Sequence, residues 1–429
     1  MADREFGFET LALHAGQLPD PATGARAVPI YQTASYVFDS SDHAASLFNL
    51  STFGNIYSRM MNPTNAVFEE RMAALEKGRA AVAVASGMAA QMTALLTILE
   101  AGDEIVAAST LYGGTFSQLN VTLRKLGINT TFVDPDDPEN FRRALTPKTK
   151  VLYAETIGNP VGNVVDIEAI AAIAHEAGLP LFIDNTMASP YLCRPIEHGA
   201  DIVLHSATKF ICGHGTAIGG VLIESGKFPW DNGNFPTMVE PSPGYHGVRF
   251  YETFGDFGFT MKARCEPLRT LGPTLAPMHA FLFLQGLETL PLRMERHVQN
   301  ALKIAQFLEA HPLVSWVKYA GLPSSPYHAL AKKYLPKGAG SVFTFGVKGG
   351  MEAGIKFIES VQFLSHLANI GDAKTLVIHP ASTTHRQLDE EALAKAGVSA
   401  DMIRISVGLE TVDDIIWDID QALHKSQKK

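Results

Sequence analysis

The tetrapeptide Ser206-Ala-Thr-Lys209 follows the apolar run Ile202-Val-Leu-His205, and an earlier apolar run, Leu181-Phe-Ile183, ends on Asp184. A lysine at a strand end can condense with an aldehyde to form a Schiff base. An acid at the end of a neighbouring strand can keep a pyridine nitrogen protonated, which makes the ring an acceptor of electrons. The stretch Ser86-Gly-Met-Ala-Ala90 adds a third element, because it follows the strand-like Val82-Ala-Val-Ala85 and opens a helical run that reaches Leu99. The amides of Gly87 and Met88 would then face an anion from a helix N-terminus. An aldehyde, a pyridine nitrogen and a phosphate together describe pyridoxal 5'-phosphate, with the Ser206 and Thr208 hydroxyls completing the phosphate seat. Taken singly, each feature has a plainer reading: a solvated lysine, a strand-end cap, a small-residue turn. Their joint appearance in the chain order that the cofactor requires is what carries the assignment.

The elements that must position these groups are short β-rich runs alternating with helical ones: Val82-Ala-Val-Ala85, Ile105-Val-Ala-Ala, Thr131-Phe-Val133, Val151-Leu-Tyr-Ala, Leu181-Phe-Ile183, Ile202-Val-Leu and Val221-Leu-Ile223. Such alternation predicts an α/β architecture, a mostly parallel seven-stranded sheet with helices on both faces. Ligands of open α/β sheets sit beyond the carboxyl ends of the strands, where Ser86, Asp184 and Ser206 to Lys209 all fall. Asp166 reads as the N-cap of a helix with Ile167, Ile170, Ile173 and Ala174 on one stripe and Gly178 and Pro180 ending it. Residues 1–60 read as an irregular arm punctuated by Pro19, Pro21, Gly24 and Pro29. Residues 61–280 form the expected cofactor domain, interrupted at about 226–272 by a stretch rich in Pro, Gly and aromatics that lacks a clear period. Residues 281–429 read as a smaller α+β domain that begins with one long helix from Phe281 to about Glu309 and includes strands at Val342-Phe-Thr-Phe345 and Ile403-Arg-Ile-Ser-Val407.

Composition removes several classes. A chain of 429 residues with 46% hydrophobic and 18% charged residues has ordinary globular usage. A formal net charge of -9, with no long basic block before Lys425-Ser-Gln-Lys-Lys429, argues against nucleic acid as a partner. No apolar run reaches the ~20 residues that span a bilayer, and Met1-Ala-Asp-Arg-Glu-Phe lacks the order of a signal peptide, so no membrane partner and a cytoplasmic location are expected. Cys193, Cys212 and Cys265 are too few and too scattered for a disulfide framework. Gly213-His-Gly215-Thr-Ala-Ile-Gly219-Gly220 lacks the spacing of a dinucleotide-binding turn and runs into a strand. His205, Cys212 and His214 do not match a paired metal-ligand pattern, and no metal site is expected.

Seven stretches carry a wider resemblance: Tyr57-Ser-Arg59-Met-Met-Asn-Pro-Thr64, Ser86-Gly-Met-Ala-Ala90, Tyr112-Gly-Gly-Thr115, Glu155-Thr-Ile-Gly-Asn159-Pro160, Asp184-Asn-Thr186, Ser206-Ala-Thr-Lys209-Phe and Arg404-Ile-Ser-Val-Gly-Leu-Glu410. With them the chain, from Phe8 to Asp414, resembles the Cys/Met-metabolism family of pyridoxal phosphate enzymes. The resemblance implies the fold type I, aspartate aminotransferase-like transferase architecture. It implies that Lys209 carries the cofactor, that Asp184 pairs with the ring nitrogen and that Tyr112 stacks on the ring. Ser86, Gly87, Met88, Ser206 and Thr208 would bind phosphate, and Asn159 would lie near the cofactor's phenolic oxygen and the substrate carboxylate. Tyr57 and Arg59 would reach the phosphate of a neighbouring subunit, within a homotetramer built as a dimer of dimers. Arg404 would take the substrate carboxylate, with Asn369 and Tyr57 also beside the substrate. The alternation of Ile403, Ile405 and Val407 with Arg404 puts the guanidinium on the face opposite the apolar set, and its planar fork suits a carboxylate.

Two departures narrow the reaction. Methionine γ-lyases of the family place a cysteine where this chain has Gly114, and members that handle cystathionine commonly place Glu-Ser where it has Ala368-Asn369. No acid is therefore available there to meet the amino group of a second amino acid. The segment from Ala368 to His385 and the insertion after Gly226 resemble the O-acetylhomoserine sulfhydrylase branch. The expected reaction is γ-replacement of O-acetyl-L-homoserine by sulfide, giving L-homocysteine and acetate, in which Lys209, assisted by Tyr112, moves the protons. Methanethiol as the thiol, O-succinylhomoserine as the donor, cystathionine γ-synthesis and methionine γ-lysis remain alternatives. The insertion's aromatics suggest either a lid over the entrance or a surface contact, and His385 and Arg386 are further candidates for substrate contact.

Overall fold

The computed structural model describes residues 4–383 and 397–428. Seven strands form the first sheet: β1 (Ala80–Val84), β2 (Glu104–Ala108), β3 (Asn129–Val133), β4 (Thr149–Glu155), β5 (Leu181–Asp184), β6 (Ile202–Ser206) and β7 (Gly220–Glu224). Their spatial order is β1-β7-β6-β5-β4-β2-β3. The run from β6 to β3 is parallel throughout. β7 alone is reversed, pairing antiparallel with both β1 and β6. Each predicted run is present; six are extended by a residue or two, and the first, expected at Val82 to Ala85, runs from Ala80 to Val84. Strands such as Val151-Leu-Tyr-Ala are apolar throughout because both faces of the sheet are covered by helices. One such helix, Ile167–Glu176, starts at Asp166, whose side chain accepts the Ala169 N–H at 3.3 Å, and it buries Ile167, Ile170, Ile173 and Ala174.

A second, five-stranded sheet contains β8 (Val314–Lys318), β9 (Val342–Val347), β10 (Ser365–His366), β11 (Leu376–Ile378) and β12 (Met402–Ser406) in the order β10-β11-β12-β9-β8. All neighbours are antiparallel except β10 and β11. A single contiguous apolar core runs from the first sheet into the second, through residues such as Leu152, Val203, Leu287, Phe343 and Ile405.

Three regions differ from the sequence expectation. The expected single helix from Phe281 is two helices, Pro277–Glu288 and Leu290–Ala310, broken at Thr289. Pro291 has no N–H to continue the first helix, and its ring would press on the carbonyl of Leu287. The arm carries two short helices, Phe8–His14 and Ser41–Phe48. The second is started by Ser40, which accepts the His43 N–H at 3.0 Å. The insertion is more ordered than its composition suggests, since Gly258–Ala263 continues through a wider, π-type turn at Arg264–Leu268 into Arg269–Leu271. Pro267 lies within that wide turn, where the regular helical ladder is already interrupted.

Candidate active site

A cavity of about 320 Å³ opens between the carboxyl ends of the parallel strands and the second sheet. That volume is in the range of small-molecule sites. Its wall brings together Ser86, Gly87, Met88, Tyr112, Asn159, Asp184, Ser206, Thr208, Lys209, Asn369 and Arg404, eleven positions that the sequence singled out. Tyr57 and Arg59 are not among the lining residues. They stand together elsewhere, with the Arg59 guanidinium carbon 5.3 Å from the centre of the Tyr57 ring. His385 and Arg386 lie outside the described residues.

At one end of the cavity, Ser86 ends the β1 turn and caps the Gly87–Ile98 helix, its hydroxyl accepting the Ala89 N–H at 3.1 Å. The amides of Gly87 and Met88 have no acceptor among the described residues. One turn on, the Gln91 side-chain nitrogen is buried on the cavity wall without a partner. Free donors at the start of a twelve-residue helix form a seat for an anion. Thr208 faces the same space; its hydroxyl exchanges hydrogen bonds with Gly219, donating to the carbonyl at 3.2 Å and accepting from the N–H at 3.1 Å.

The floor is made by β4 and β5, whose last residues, Glu155 and Asp184, sit side by side in register. Burial pushes the Asp184 carboxyl up, opposed by hydrogen bonds from Thr186, whose N–H donates at 2.9 Å. Glu155 is held well above the usual carboxylate range by burial, with the Asp184 charge adding to it. Its Oε1 accepts the backbone N–H of Tyr112 at 2.7 Å, so the acid fixes the start of the loop that presents the half-exposed Tyr112 ring. The sequence gives Glu155 no role beyond its place in the Glu155-Thr-Ile-Gly-Asn159-Pro160 stretch. Gly114 explains part of that loop's shape: a Cβ there would fall 2.4 Å from the Tyr112 ring.

The amine of Lys209 donates to Asn369 Oδ1 at 2.5 Å. Its pKa is pushed down to about 8, first by burial and second by the positive charge of Arg404. Arg404, in the middle of β12 between Thr344 and Ile378, donates to Asn159 Oδ1 at 3.3 Å and to the Asn369 carbonyl at 3.4 Å. Burial lowers its pKa too. No carboxylate of the protein pairs with it among the described residues, so its fork is free to take a carboxylate from outside.

This donor set fits pyridoxal phosphate. The unfilled helix N-terminus suits the phosphate, the strand-end acid suits a protonated ring nitrogen, and the lowered amine suits condensation with an aldehyde.

Other sequence candidates fall elsewhere. His205, Cys212 and His214 are not gathered: His205 Nε2 lies 2.6 Å from Glu76, the Cys212 sulfur 3.4 Å from the Thr216 hydroxyl, and His214 Nδ1 2.7 Å from the Cys212 carbonyl. His311, Asp420 and His424 do cluster. There the Leu313 N–H donates to His311 Nδ1 at 3.1 Å, which leaves the ring proton on Nε2, facing Asp420 at 3.0 Å. That is a hydrogen-bonded pair, not a metal ligand set. The insertion supplies none of the cavity wall. It braces the arm instead: Phe53 packs on Phe254 and Phe257 at 6.3 Å, and Arg264 bonds the Met60 carbonyl and, at 2.6 Å, Glu69.

Comparisons with known proteins agree with this construction. The model of the Cys/Met metabolism PLP-dependent enzyme family matches residues 9–424. The chain is 56% identical over 429 residues to the O-acetyl-L-homoserine sulfhydrylase of Leptospira meyeri, covering 98% of this chain and 97% of that one. It is equally, 56%, identical over 419 residues to the homocysteine synthase of Schizosaccharomyces pombe, covering 97% and 98%. Among solved structures, a Campylobacter jejuni protein assigned as an O-acetylhomoserine (thiol)-lyase superposes with a TM-score of 0.95 at 42% identity, covering 98% of this chain and all of that one. That crystal carries a pyridoxyl-lysine monophosphate.

Proposed function

The chain belongs to the Cys/Met metabolism family of pyridoxal phosphate-dependent enzymes, and from that premise we propose that it exchanges the acetoxy group of O-acetyl-L-homoserine for sulfide, releasing L-homocysteine and acetate. Pyridoxal phosphate, when bound, supplies an electron-poor ring that stores the electron pair released at the substrate α-carbon. Gly87, Met88, Ser86, Ser206 and Thr208 would hold its phosphate, Asp184 would hold the ring nitrogen, and Tyr112 would cover the ring. Lys209 is the point of attachment. Burial holds its Nζ at a pKa of about 8 in the free site, so as a free amine it can take a proton from the substrate Cα and move protons at Cβ before and after the thiol adds. Asn369 orients that amine, and Tyr112 assists the transfer. Arg404 binds the substrate carboxylate with Asn159, which fixes the Cα–H bond relative to Lys209.

The observation that carries the choice of nucleophile is the set of acids on the wall. Glu155 and Asp184 are the lining carboxylates, at adjacent strand ends beneath the site, Glu155 buried and Asp184 partly so. Ala368 and Asn369, on the opposite wall, offer no negative charge to the ammonium of cysteine. A small thiol such as sulfide needs none. The relatives named O-acetyl-L-homoserine sulfhydrylase and homocysteine synthase support the same reading. Turnover of O-acetylhomoserine with sulfide, methanethiol and cysteine in parallel tests it: homocysteine should dominate, and cystathionine as the main product would overturn it.

The assembly belongs to the same proposal. Tyr57 and Arg59 lie off the cavity of their own chain, exposed, on an arm braced by the insertion, which supports their serving the site of a second copy in a homotetramer. Mixing an Arg59→Ala protein with a Lys209→Ala protein should restore activity through hybrid assemblies, and a sedimenting monomer with full activity would end the idea. The three cysteines are free and buried, and among the described residues no helix is long and apolar enough to cross a membrane. The unpaired thiols support placing the enzyme in the cytoplasm.

A further inference from the structure

The Leu290–Ala310 helix buries an apolar face made of Met294, Val298, Ala301, Ile304, Ala305 and Leu308. Along that buried side runs a polar stripe, Arg293, His297 and Asn300, at 6%, 0% and 3% exposure. Positions i, i+4 and i+7 share one helix face. A buried guanidinium with no acid beside it is costly, and its burial lowers its pKa to about 10. Apart from the Arg293 Nε bond to the Thr289 hydroxyl at 3.3 Å and one bond to the Gly286 carbonyl of the preceding helix, the stripe spends its hydrogen bonds on backbone carbonyls that follow Lys209 and Arg404 in the chain.

Arg293 donates to the carbonyl of Phe210, the residue after Lys209, at 2.8 Å, to that of Ile211 at 3.5 Å and to that of Gly286 at 2.6 Å. Gly213 lets the turn close on it: φ there is +73°, and a Cβ would fall 2.1 Å from Arg293 Nη1. One turn along, His297 Nδ1 lies 2.6 Å from the carbonyl of Val407, three residues beyond Arg404, while its ring meets the Phe210 ring edge-on at 5.4 Å. Burial holds this ring near pKa 4, so it stays neutral and donates from Nδ1 to that carbonyl. Asn300 then donates to the carbonyls of Gly408 at 3.1 Å and Glu410 at 3.0 Å. One helix thus grips the turn that carries Lys209 and the exit of the strand in whose middle Arg404 stands.

We propose that Arg293, His297 and Asn300 are positioning residues that hold the Lys209 turn in register with the Arg404 strand, and so set the distance between the base and the substrate carboxylate. The proposal rests on the roles given above to Lys209 and Arg404. Displacements of about 1 Å can cost on the order of 100-fold in rate, so the stripe acts on turnover and not only on folding.

The test uses full-length protein reconstituted with cofactor. Arg293→Lys keeps the charge but loses the fork, and it should lower kcat at least about tenfold with KM for O-acetylhomoserine changed less than about twofold. Asn300→Ala, at the Arg404 end, should instead raise KM several-fold with a smaller change in kcat. A readout free of turnover is the pH dependence of Lys209 acylation in cofactor-free protein, read on the Lys209 peptide by mass spectrometry. Arg293→Lys should move that midpoint and Asn300→Ala should not. Variants that lose melting temperature while keeping wild-type kcat, KM and midpoint would overturn the proposal. Should Arg293→Lys not fold, Asn300→Ala and His297→Gln carry the same test, and unchanged KM in both would reject it. Wild-type protein that fails to bind cofactor would instead strike the underlying reading.

Discussion

The two sheets supply the cavity in opposite ways. The parallel sheet delivers its groups from strand ends: Glu155 and Asp184 are the last residues of β4 and β5, and Lys209 follows β6 by three positions. The antiparallel sheet delivers Arg404 from the centre of β12, held on both sides by ladder partners, and Asn369 from the segment between β10 and β11. Strand ends gather groups that act on one point, the cofactor, because every parallel strand points its carboxyl end the same way. A mid-strand arginine is fixed in direction by the pleat and suits a single task, orienting a carboxylate. On the proposed roles, one half makes the chemistry possible and the other aims it.

If that division holds, breaking the first half should destroy turnover and breaking the second should spare it. Lys209→Ala should cut kcat/KM by at least about 10⁴-fold and remove cofactor absorbance from the attached form. Substantial residual turnover would dissolve the distinction at once. Arg404→Lys keeps the charge but not the planar fork, and it should raise KM for O-acetylhomoserine roughly tenfold to a hundredfold with cofactor absorbance intact. A collapse in cofactor content instead would place Arg404 with the first half. Asn369 touches both halves, its side chain on Lys209 and its carbonyl on Arg404. Asn369→Ala removes only the side-chain contact, so steady-state kinetics should show kcat lowered several-fold and KM little changed.

The same contrast separates what the sequence reveals from what it hides. Groups at strand ends are legible because an apolar run stops and a functional residue stands where it stops, as at Leu181-Phe-Ile183-Asp184 and Ile202 to Lys209. The helix start at Ser86 is legible for a similar reason, a capping hydroxyl at a change of period. Arg404 has no such punctuation. Alternation places it on the polar face of a strand, yet only the family resemblance gives it a substrate. Glu155 and Gln91 escape notice because one is the last residue of an apolar strand and the other a polar residue in a helix, ordinary in pattern and unusual only in burial. Arg293, His297 and Asn300 escape for a stronger reason: they share the face of the helix that apolar residues occupy, so a periodicity reading sees a core-facing helix and stops. The break at Thr289 is hidden because Pro291 stands within a continuous apolar pattern.

The smallest effect is the most discriminating, because it asks whether the aiming half also tunes the reacting half. In cofactor-free protein the Lys209 amine should titrate with a midpoint near 8, the principal cause being burial and the lesser one the Arg404 charge. Neutralising that charge with Arg404→Met should raise the midpoint while leaving it below the ordinary lysine value of 10.5, since the burial remains. The sign carries over to stability. The folded amine releases its proton at lower pH than the unfolded one, so between about 8 and 10.5 the unfolded chain binds more protons and this group's contribution to stability grows as pH rises. Arg404→Met should therefore narrow that window from its lower edge, measured as a smaller rise in denaturation midpoint from pH 8 to 10. An unchanged acylation midpoint would mean that burial alone sets the base and that the two sheets meet in space without acting on one another.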